Sequence, residues 1–541
     1  MSGYGGFKYA GRPRQVVIFC MGEVTFDNGF LPSLTRPGPA RWQRASRCLV
    51  PLIGATAAGR KIEMADIAAN TLKVGLFGIG LDAYWPQFEG LEDRLKSYVG
   101  LVEGKLSRDD VDVVNLGLID TPEKAVQAGH DFRIADVDVI FLYVTTYALS
   151  STVLPVVRRA GVPVVILNLQ PVASMDLAAF NALGSRAKMT GEWLAHCAAC
   201  PVPEIANVFT RAGIEFHQIT GVLNGDAHVD NEIAAWIEAA RVAHIMAHTK
   251  LGVMGHYYNG MLDIYSDMAL QSAAFGTLIE IVEIDELAAI RADLTEAEIN
   301  DTLVRIKAEF DIQPDCPDAE LHRAASTATA LFKLVDRHGL GAMAYYYEST
   351  PGTVHEDLIT SVILGCSMLT ASGVPIAGEY EVKNAQAMKI MDSFGVGGSF
   401  TEYYAIDYGD DVVMMGHDGP GHTQIAQGKT KVRPLEVFHG KVGAGLSVEM
   451  SVRHGPVTCL SVLEIGGKVS LLVAEGESVP GPILEIGNTN SRYRFEIGAR
   501  EFVEAWNAAA PAHHCAVGVG HIATRIEKLG ALLGLEVIRV C

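Results

Sequence analysis

The sequence predicts an α/β fold with a doubly wound first domain, a second α/β stretch, and a strand-rich C-terminal part of barrel or sandwich type. Three observations carry this. Short β-branched runs alternate with helix-like segments from Leu72 onward, a second alternating stretch begins near His244, and from about Thr401 the chain turns to closely spaced strands and turns. Alternation of strand and helix patterns is the mark of βαβ units with a covered parallel sheet, whereas consecutive short strands mark an antiparallel architecture.

In the first stretch the strands are "KVGLFGIG", "DVDVVNLGLI", "VDVIFLYVTT" and "VPVVILNLQ". The helices between them include "GLEDRLKSYVGLVEGKL" and "STVLPVVRRAG". Near-continuous apolar runs of this length suit strands buried on both faces. In the second stretch, "LTEAEINDTLVRIKAEF" offers Thr295 as an N-cap ahead of apolar residues at helical spacing. The C-terminal strands are "DDVVMMGH" and "GLSVEMSVRHGPVTCLSVLEIGGKVSLLVAEGESV", after which "HIATRIEKLGALLGLEVIRVC" returns to helix and strand. The expected boundaries are 65–245, 246–398 and 399–541, preceded by a basic leader over 1–63.

That leader has nine Lys or Arg against three Asp or Glu, a net of +6 in a chain whose formal charge is −20. Rich in Pro and Arg and without an amphipathic period, it reads as a disordered tail or as translated upstream sequence ahead of a start at Met64. The acidic remainder argues against a nucleic-acid surface, which needs a clustered basic face. No apolar run reaches the ~18 residues of a bilayer span. Nine unevenly spaced cysteines in 541 residues suit a reducing cytoplasm rather than a disulfide scaffold.

Two motifs compete for function and carry weak signals. "FGIG" (Gly78, Gly80) lacks the third glycine of a dinucleotide fingerprint and reads as a tight strand-to-helix turn. "HCAAC" (His196, Cys197, Cys200) has C-x-x-C spacing but no second cysteine pair to complete a zinc site, and its plain reading is small apolar cysteines on a helix face. The stretch "GEYEVKNAQAMKIMDSFGVGGSFTEYYAIDYGDDVVMMGHDGPGH" is richer. Glu379 opens a helix, Glu402 follows "GVGGSF", His417 ends a strand, and "PAHHC" supplies His513 and His514 before another strand-like run. Two carboxylates and two imidazoles at element ends could cage a divalent ion such as Mn²⁺ with positions open to substrate. Spacing alone leaves the alternative of solvated Glu and turn His standing.

The ordered blocks "GEYEVKNA", "GVGGSFTEYY", "MMGH" and "PAHHC" resemble the active-site half of L-arabinose isomerases, whose pattern runs G-E-G-D-W-K-T-A, G-G-T-S-F-M-E-D-Y, G-x-H and A-H-H. "FGIGLDAYWPQFEGLEDRL" and "GNTNSRYRFE" resemble other parts of the wider L-fucose/L-arabinose isomerase superfamily. The resemblance runs from about Lys73 to Cys541. It implies two doubly wound parallel-sheet domains followed by a C-terminal β-barrel-like domain, and metal ligands at Glu379, Glu402, His417 and His514 with His513 behind them. It further implies Mn²⁺ as cofactor, with Co²⁺ or Mg²⁺ as alternatives, a small-molecule sugar substrate, and a homotrimer or homohexamer.

The implied activity is aldose–ketose isomerisation through an enediol, with Glu379 and Glu402 as the proton-transfer pair. A non-catalytic sugar-binding relative and an enediol-type lyase or epimerase are the alternatives. The departures lie in the first domain. The family's G-S-Q-H-L-Y is "GLDAYW" here, and its H-L-H-T-Q-F-N block is replaced by "NLQPVASMD". Tyr84, Trp85 and Gln170 are therefore candidate sugar contacts, with a purely structural role as the competing reading, and the sugar need not be arabinose.

Overall fold

The structure is a computed structural model that describes residues 71–541 apart from 439, 440 and 443; the leader expectation lies outside the described residues. The described residues form one compact unit, built on two parallel sheets and a closed antiparallel barrel.

The first sheet contains β1 (Leu72–Ile79), β2 (Val111–Ile119), β3 (Val139–Tyr143), β4 (Val164–Gln170) and β5 (Phe216–Val222). It is parallel throughout, in the order β2-β1-β3-β4-β5. The apolar runs follow from its two covered faces. Val139, Phe141 and Tyr143 enter one core with Val165 and Leu167, while Ile140 and Leu142 enter another with Val164 and Ile166. The second sheet contains β6 (Lys250–Met254), β7 (Leu278–Val282), β8 (Ala342–Tyr345) and β9 (Ile376–Ala377), parallel, in the order β9-β8-β6-β7. Thr295 does cap the helix Glu296–Glu309, in a reciprocal capping box with Glu298.

The C-terminal strands β10 (Gly397–Asp407), β11 (Val412–His417), β12 (Gly455–Ile465), β13 (Lys468–Val479), β14 (Thr489–Arg494) and β15 (His514–Val519) pair antiparallel around a ring. The β12–β13 pairing closes that ring, so the barrel has six strands and no free edge within it. The strand Glu536–Arg539 adds parallel to β13 on the outside. Of barrel and sandwich, the structure selects the barrel.

One helix joins the parts. In Val382–Ser393 every residue but Asp392 is buried. It shares a core with Leu251, Val253, Ala342 and Ala344 of the second sheet and with Leu460, Val462, Leu471 and Ala516 of the barrel. A helix covered all round shows no polar stripe in its sequence. Two of its polar side chains reach internal partners: Lys383 Nζ donates to the Asp263 carbonyl, and Gln386 Oε1 accepts from Thr277 Oγ1. Among the described residues no helix is long and apolar enough to cross a membrane.

Candidate metal centre

Three site residues come from one rim of the barrel. Glu402 lies on β10, with Gly416 of β11 and His514 of β15 as its register partners on either side. His417 ends β11, one position beyond Gly416. Directly paired residues on neighbouring strands point to the same face, so Glu402 and His514 share a face by backbone register alone. The Phe400 ring packs against both imidazoles, its centroid 4.4 Å from that of His417 and 4.3 Å from that of His514. Thr489 Oγ1 accepts from the His417 N–H at 2.8 Å and lies 3.0 Å from the His417 carbonyl, fixing the end of β11.

Glu379 arrives from the α/β side, on the turn between β9 and the helix Val382–Ser393. Its φ is +57° and that of Tyr380 is +63°, a left-handed conformation that non-glycine residues rarely adopt and that surrounding structure must enforce. The enforcing contacts are short. The Tyr380 N–H donates to the Tyr345 carbonyl at 2.6 Å, and Glu381 N–H to that of Gly378 at 3.0 Å. Gly378 packs so tightly that a Cβ there would lie 2.0 Å from the Tyr347 hydroxyl oxygen.

The outcome is a cluster. Glu379, His417 and His514 bring ligand atoms within 4.8 Å of one another and are all buried; Glu402, His513 and His514 do the same beside them. Glu379 carboxylate oxygens lie 3.8 Å from His417 Nε2 and 3.6 Å from His514 Nε2, and His513 Nε2 lies 3.8 Å from Glu379 and 4.0 Å from Glu402. Burial pushes the Glu379 carboxyl up to about 7, helped by the neighbouring Glu402 and opposed by His513. Burial also holds His514 well below the ordinary imidazole range, so it is a neutral ring with a lone pair to give.

The donor set fits a divalent ion. His514 Nε2 and Glu379 Oε2 are buried without a hydrogen-bond partner, a costly arrangement for polar atoms unless something they can both bind stands between them. Mixed carboxylate and imidazole donors suit first-row divalent metals. Glu379, His417 and His514 could hold the ion; its identity does not follow from these donors.

Two side chains that the sequence analysis did not single out complete the centre. Glu381, buried, places Oε2 2.5 Å from His514 Nδ1; burial pushes its carboxyl up to about 8. This is the carboxylate–histidine pairing that orients metal-bound imidazoles. Its signal was present, since the family pattern G-E-G-D also carries an acid two positions after the first Glu. Asp263 accepts from both the backbone N–H (3.0 Å) and Nδ1 (2.6 Å) of His513. Burial works against a charged His513, yet the Asp263 hydrogen bond keeps its pKa above the ordinary value. Nothing in the sequence links Asp263 to a histidine 250 positions later.

The first-domain candidates lie elsewhere. Tyr84 and Trp85 form a small apolar cluster with Phe88, Leu91, Leu95 and Leu194, and Trp85 Nε1 donates to Asp120 Oδ2 at 2.9 Å. Gln170 Nε2 donates to the Val172 carbonyl. No described contact joins these three to the cluster around Glu379. "FGIG" runs into a short 3₁₀ turn, Asp82–Tyr84, as its missing glycine suggested. His196, Cys197 and Cys200 do not converge as a metal-ligating group among the described residues.

A carboxylate from an α/β turn meeting Glu and His from one barrel rim defines a candidate divalent-metal centre. Residues 397–536 match the L-arabinose isomerase C-terminal domain, and part of the chain is similar in sequence to L-arabinose isomerases. It is 22% identical to an L-arabinose isomerase of Shewanella sp. (strain ANA-3) over 57% of this chain and 63% of that one. It is 23% identical to one of Cellvibrio japonicus (strain Ueda107) over 58% and 64%. The chain thus matches a little under two thirds of these relatives' own length. A periplasmic solute-binding protein of Actinobacillus succinogenes 130z with bound D-allose aligns over 56% of this chain and 83% of its own at 14% identity, with a TM-score of 0.15, which supports no argument.

Proposed function

We propose that the protein is a metal-dependent aldose–ketose isomerase that moves a proton between the first two carbons of a sugar through an enediol. The observation that carries this reading is the meeting of Glu379 with Glu402, His417, His513 and His514, from four separate segments, in one largely buried cluster. Tyr347, whose ring stacks on His417, also lines a cavity of about 850 Å³, a volume that would take a sugar, although none of the five cluster side chains lines it.

In this reading Glu379, His417, His514 and Glu402 hold the ion, Mn²⁺ being the first choice and Co²⁺ or Mg²⁺ the alternatives. When bound, it would supply electrophilic stabilisation of the charge developing on adjacent sugar oxygens. The proton work belongs to the chain. A carboxyl held near 7 by burial can both accept and return a proton at neutral pH. Glu379 and Glu402, both within 4.0 Å of His513 Nε2, are the pair that would divide the carbon-bound and hydroxyl protons. Asp263 and Glu381 hold the two imidazoles in their tautomers. A subunit assembly, trimeric or hexameric, is part of the proposal.

The test is ketose formation from a panel of pentoses, hexoses and 6-deoxyhexoses by the Mn²⁺-loaded chain, with a chelated control. Metal-dependent ketose from one sugar establishes the class; none from any sugar, with metal bound, overturns it. A second reading, a sugar-binding relative without turnover, draws on Tyr84 and Trp85 being engaged in their own packing and with Asp120. It predicts saturable sugar binding with no product. An enediol-type lyase or epimerase is separated by a shortened carbon chain or an aldose product in the same assay.

A further inference from the structure

Tyr347 follows β8 by two residues and packs against both of the turns that carry candidate ligands. It is buried. A Cβ on Gly378, the residue before Glu379, would overlap the Tyr347 hydroxyl oxygen, and one on Gly419, two residues after His417, would lie 2.6 Å from it. The tip of the phenol therefore fills the space that side chains at both positions would take. Two more rings brace it. The His417 imidazole lies 24° from parallel at 6.1 Å between centroids, and the Tyr345 ring stands edge-on at 5.1 Å. The Tyr345 carbonyl in turn accepts from the Tyr380 N–H, so the segment that presents Tyr347 also holds the Glu379 turn.

We propose that Tyr347 is a positioning residue for the divalent-metal centre: its hydroxyl oxygen, packed against Gly378 and Gly419, sets the separation of the turn that carries Glu379 from the strand end that carries His417. This rests on the metal-centre reading and extends it to a side chain outside the proposed donor set. Glu379 comes from the α/β side and His417 from the barrel, and a Glu379 oxygen lies 3.8 Å from His417 Nε2. No backbone pairing joins the two segments, which leaves their spacing to side-chain packing. A close-packed interior transmits a small displacement rather than absorbing it. Removing the oxygen, or crowding it, therefore changes the gap that an ion held by both residues must span.

The test measures Mn²⁺ affinity by isothermal titration for the full wild-type chain, Tyr347→Phe, Gly419→Ala and the double variant. Tyr347→Phe keeps the ring and removes the oxygen. Gly419→Ala adds a methyl that is crowded by that oxygen alone, the next atoms, His417 Nδ1 and Tyr347 Cζ, both being at 3.5 Å. Each single variant should weaken Mn²⁺ about 10-fold, the lower end of the range for groups that orient metal ligands. The double variant should bind more tightly than Gly419→Ala, because the methyl then takes the vacated place. Visible absorption of the Co²⁺-loaded chains reports ligand arrangement rather than fold stability; it should shift in both single variants and return toward the wild-type spectrum in the double. Single variants that bind Mn²⁺ as the wild type does, or a double variant no tighter than Gly419→Ala, overturn the proposal and leave the metal centre standing. A wild-type chain that binds no Mn²⁺ overturns the reading beneath it, and the proposal with it. Tyr347→Phe, which adds no atom, decides the matter alone if Gly419→Ala does not fold.

Discussion

Glu381 Oε2 lies 2.5 Å from His514 Nδ1, and both groups are buried. The contact leaves Nε2 of the same ring facing Glu379, so one hydrogen bond sets which nitrogen is offered to the cluster. Glu381→Gln keeps the volume and removes the ionisable carboxyl. It should lower metal affinity about 10- to 100-fold with the fold unchanged, as read by isothermal titration with Mn²⁺ alongside far-UV circular dichroism; unchanged affinity would remove Glu381 from the centre.

Glu379→Gln and Glu402→Gln should each reduce turnover on the sugar found in the panel by roughly 10²-fold or more, the scale of general acid–base catalysis. Both variants are also expected to weaken Mn²⁺, since both carboxylates are among the proposed donors, Glu379→Gln the more strongly because Glu379 is buried and Glu402 partly exposed. Near-full activity in either variant would refute the proton-transfer pair.

Metal binding should strengthen with pH across a defined window. In the metal-free chain the Glu379 carboxyl sits near 7, above its ordinary 4.5, so between those values the folded state holds more protons than the unfolded one. This group therefore contributes stability below about 4.5 that is lost as pH rises toward 7. An ion that replaces the proton reverses the trend, so the melting-temperature increase given by Mn²⁺ over a chelated control should grow from pH 5.5 to 7.5. An increment that is flat or falls over that range would contradict a protonated Glu379.

Gly416 lies against the β14 backbone so closely that a Cβ would be 1.8 Å from the Thr489 carbonyl oxygen. Backbone cannot step aside as a side chain can. Gly416→Ala should cost about 1–3 kcal/mol, the range for overpacking a well-filled interior, and should also weaken Mn²⁺ by displacing His417. Chemical denaturation with and without metal measures both effects.

How far the chain could be read in advance followed the range of the forces involved. The first sheet was legible because each strand is buried on both faces, which leaves long apolar runs such as "VDVIFLYVTT". The helix from Val382 was found from its position after Gly378 rather than from any stripe, because full burial erased the stripe. Glu379, Glu402, His417 and His514 stood out by residue type and position as a possible cage, but only the order of four blocks singled them out as ligands. Glu381 was passed over as one more acid in an acidic segment. Asp263 was out of reach, since its pairing with His513 is made by the folding of a loop onto the barrel. Tyr84 and Trp85, singled out for their departure from the family pattern, turn out to be packed together and tied to Asp120, which sequence cannot distinguish from an open aromatic platform.

The closed ring of strands has a consequence for how the centre is assembled. Hydrogen bonds around the barrel fix Glu402, His417 and His514 relative to one another, so in the proposed centre these three would act as one preset ligand. Glu379, the fourth proposed donor, belongs to the opposite layer. Its effective concentration at the rim is set by how firmly the buried helix Val382–Ser393 seats between sheet and barrel. An ion bound there would work as a rivet through two plates, and loosening the plates anywhere along that helix would be felt first as a weaker grip on the metal.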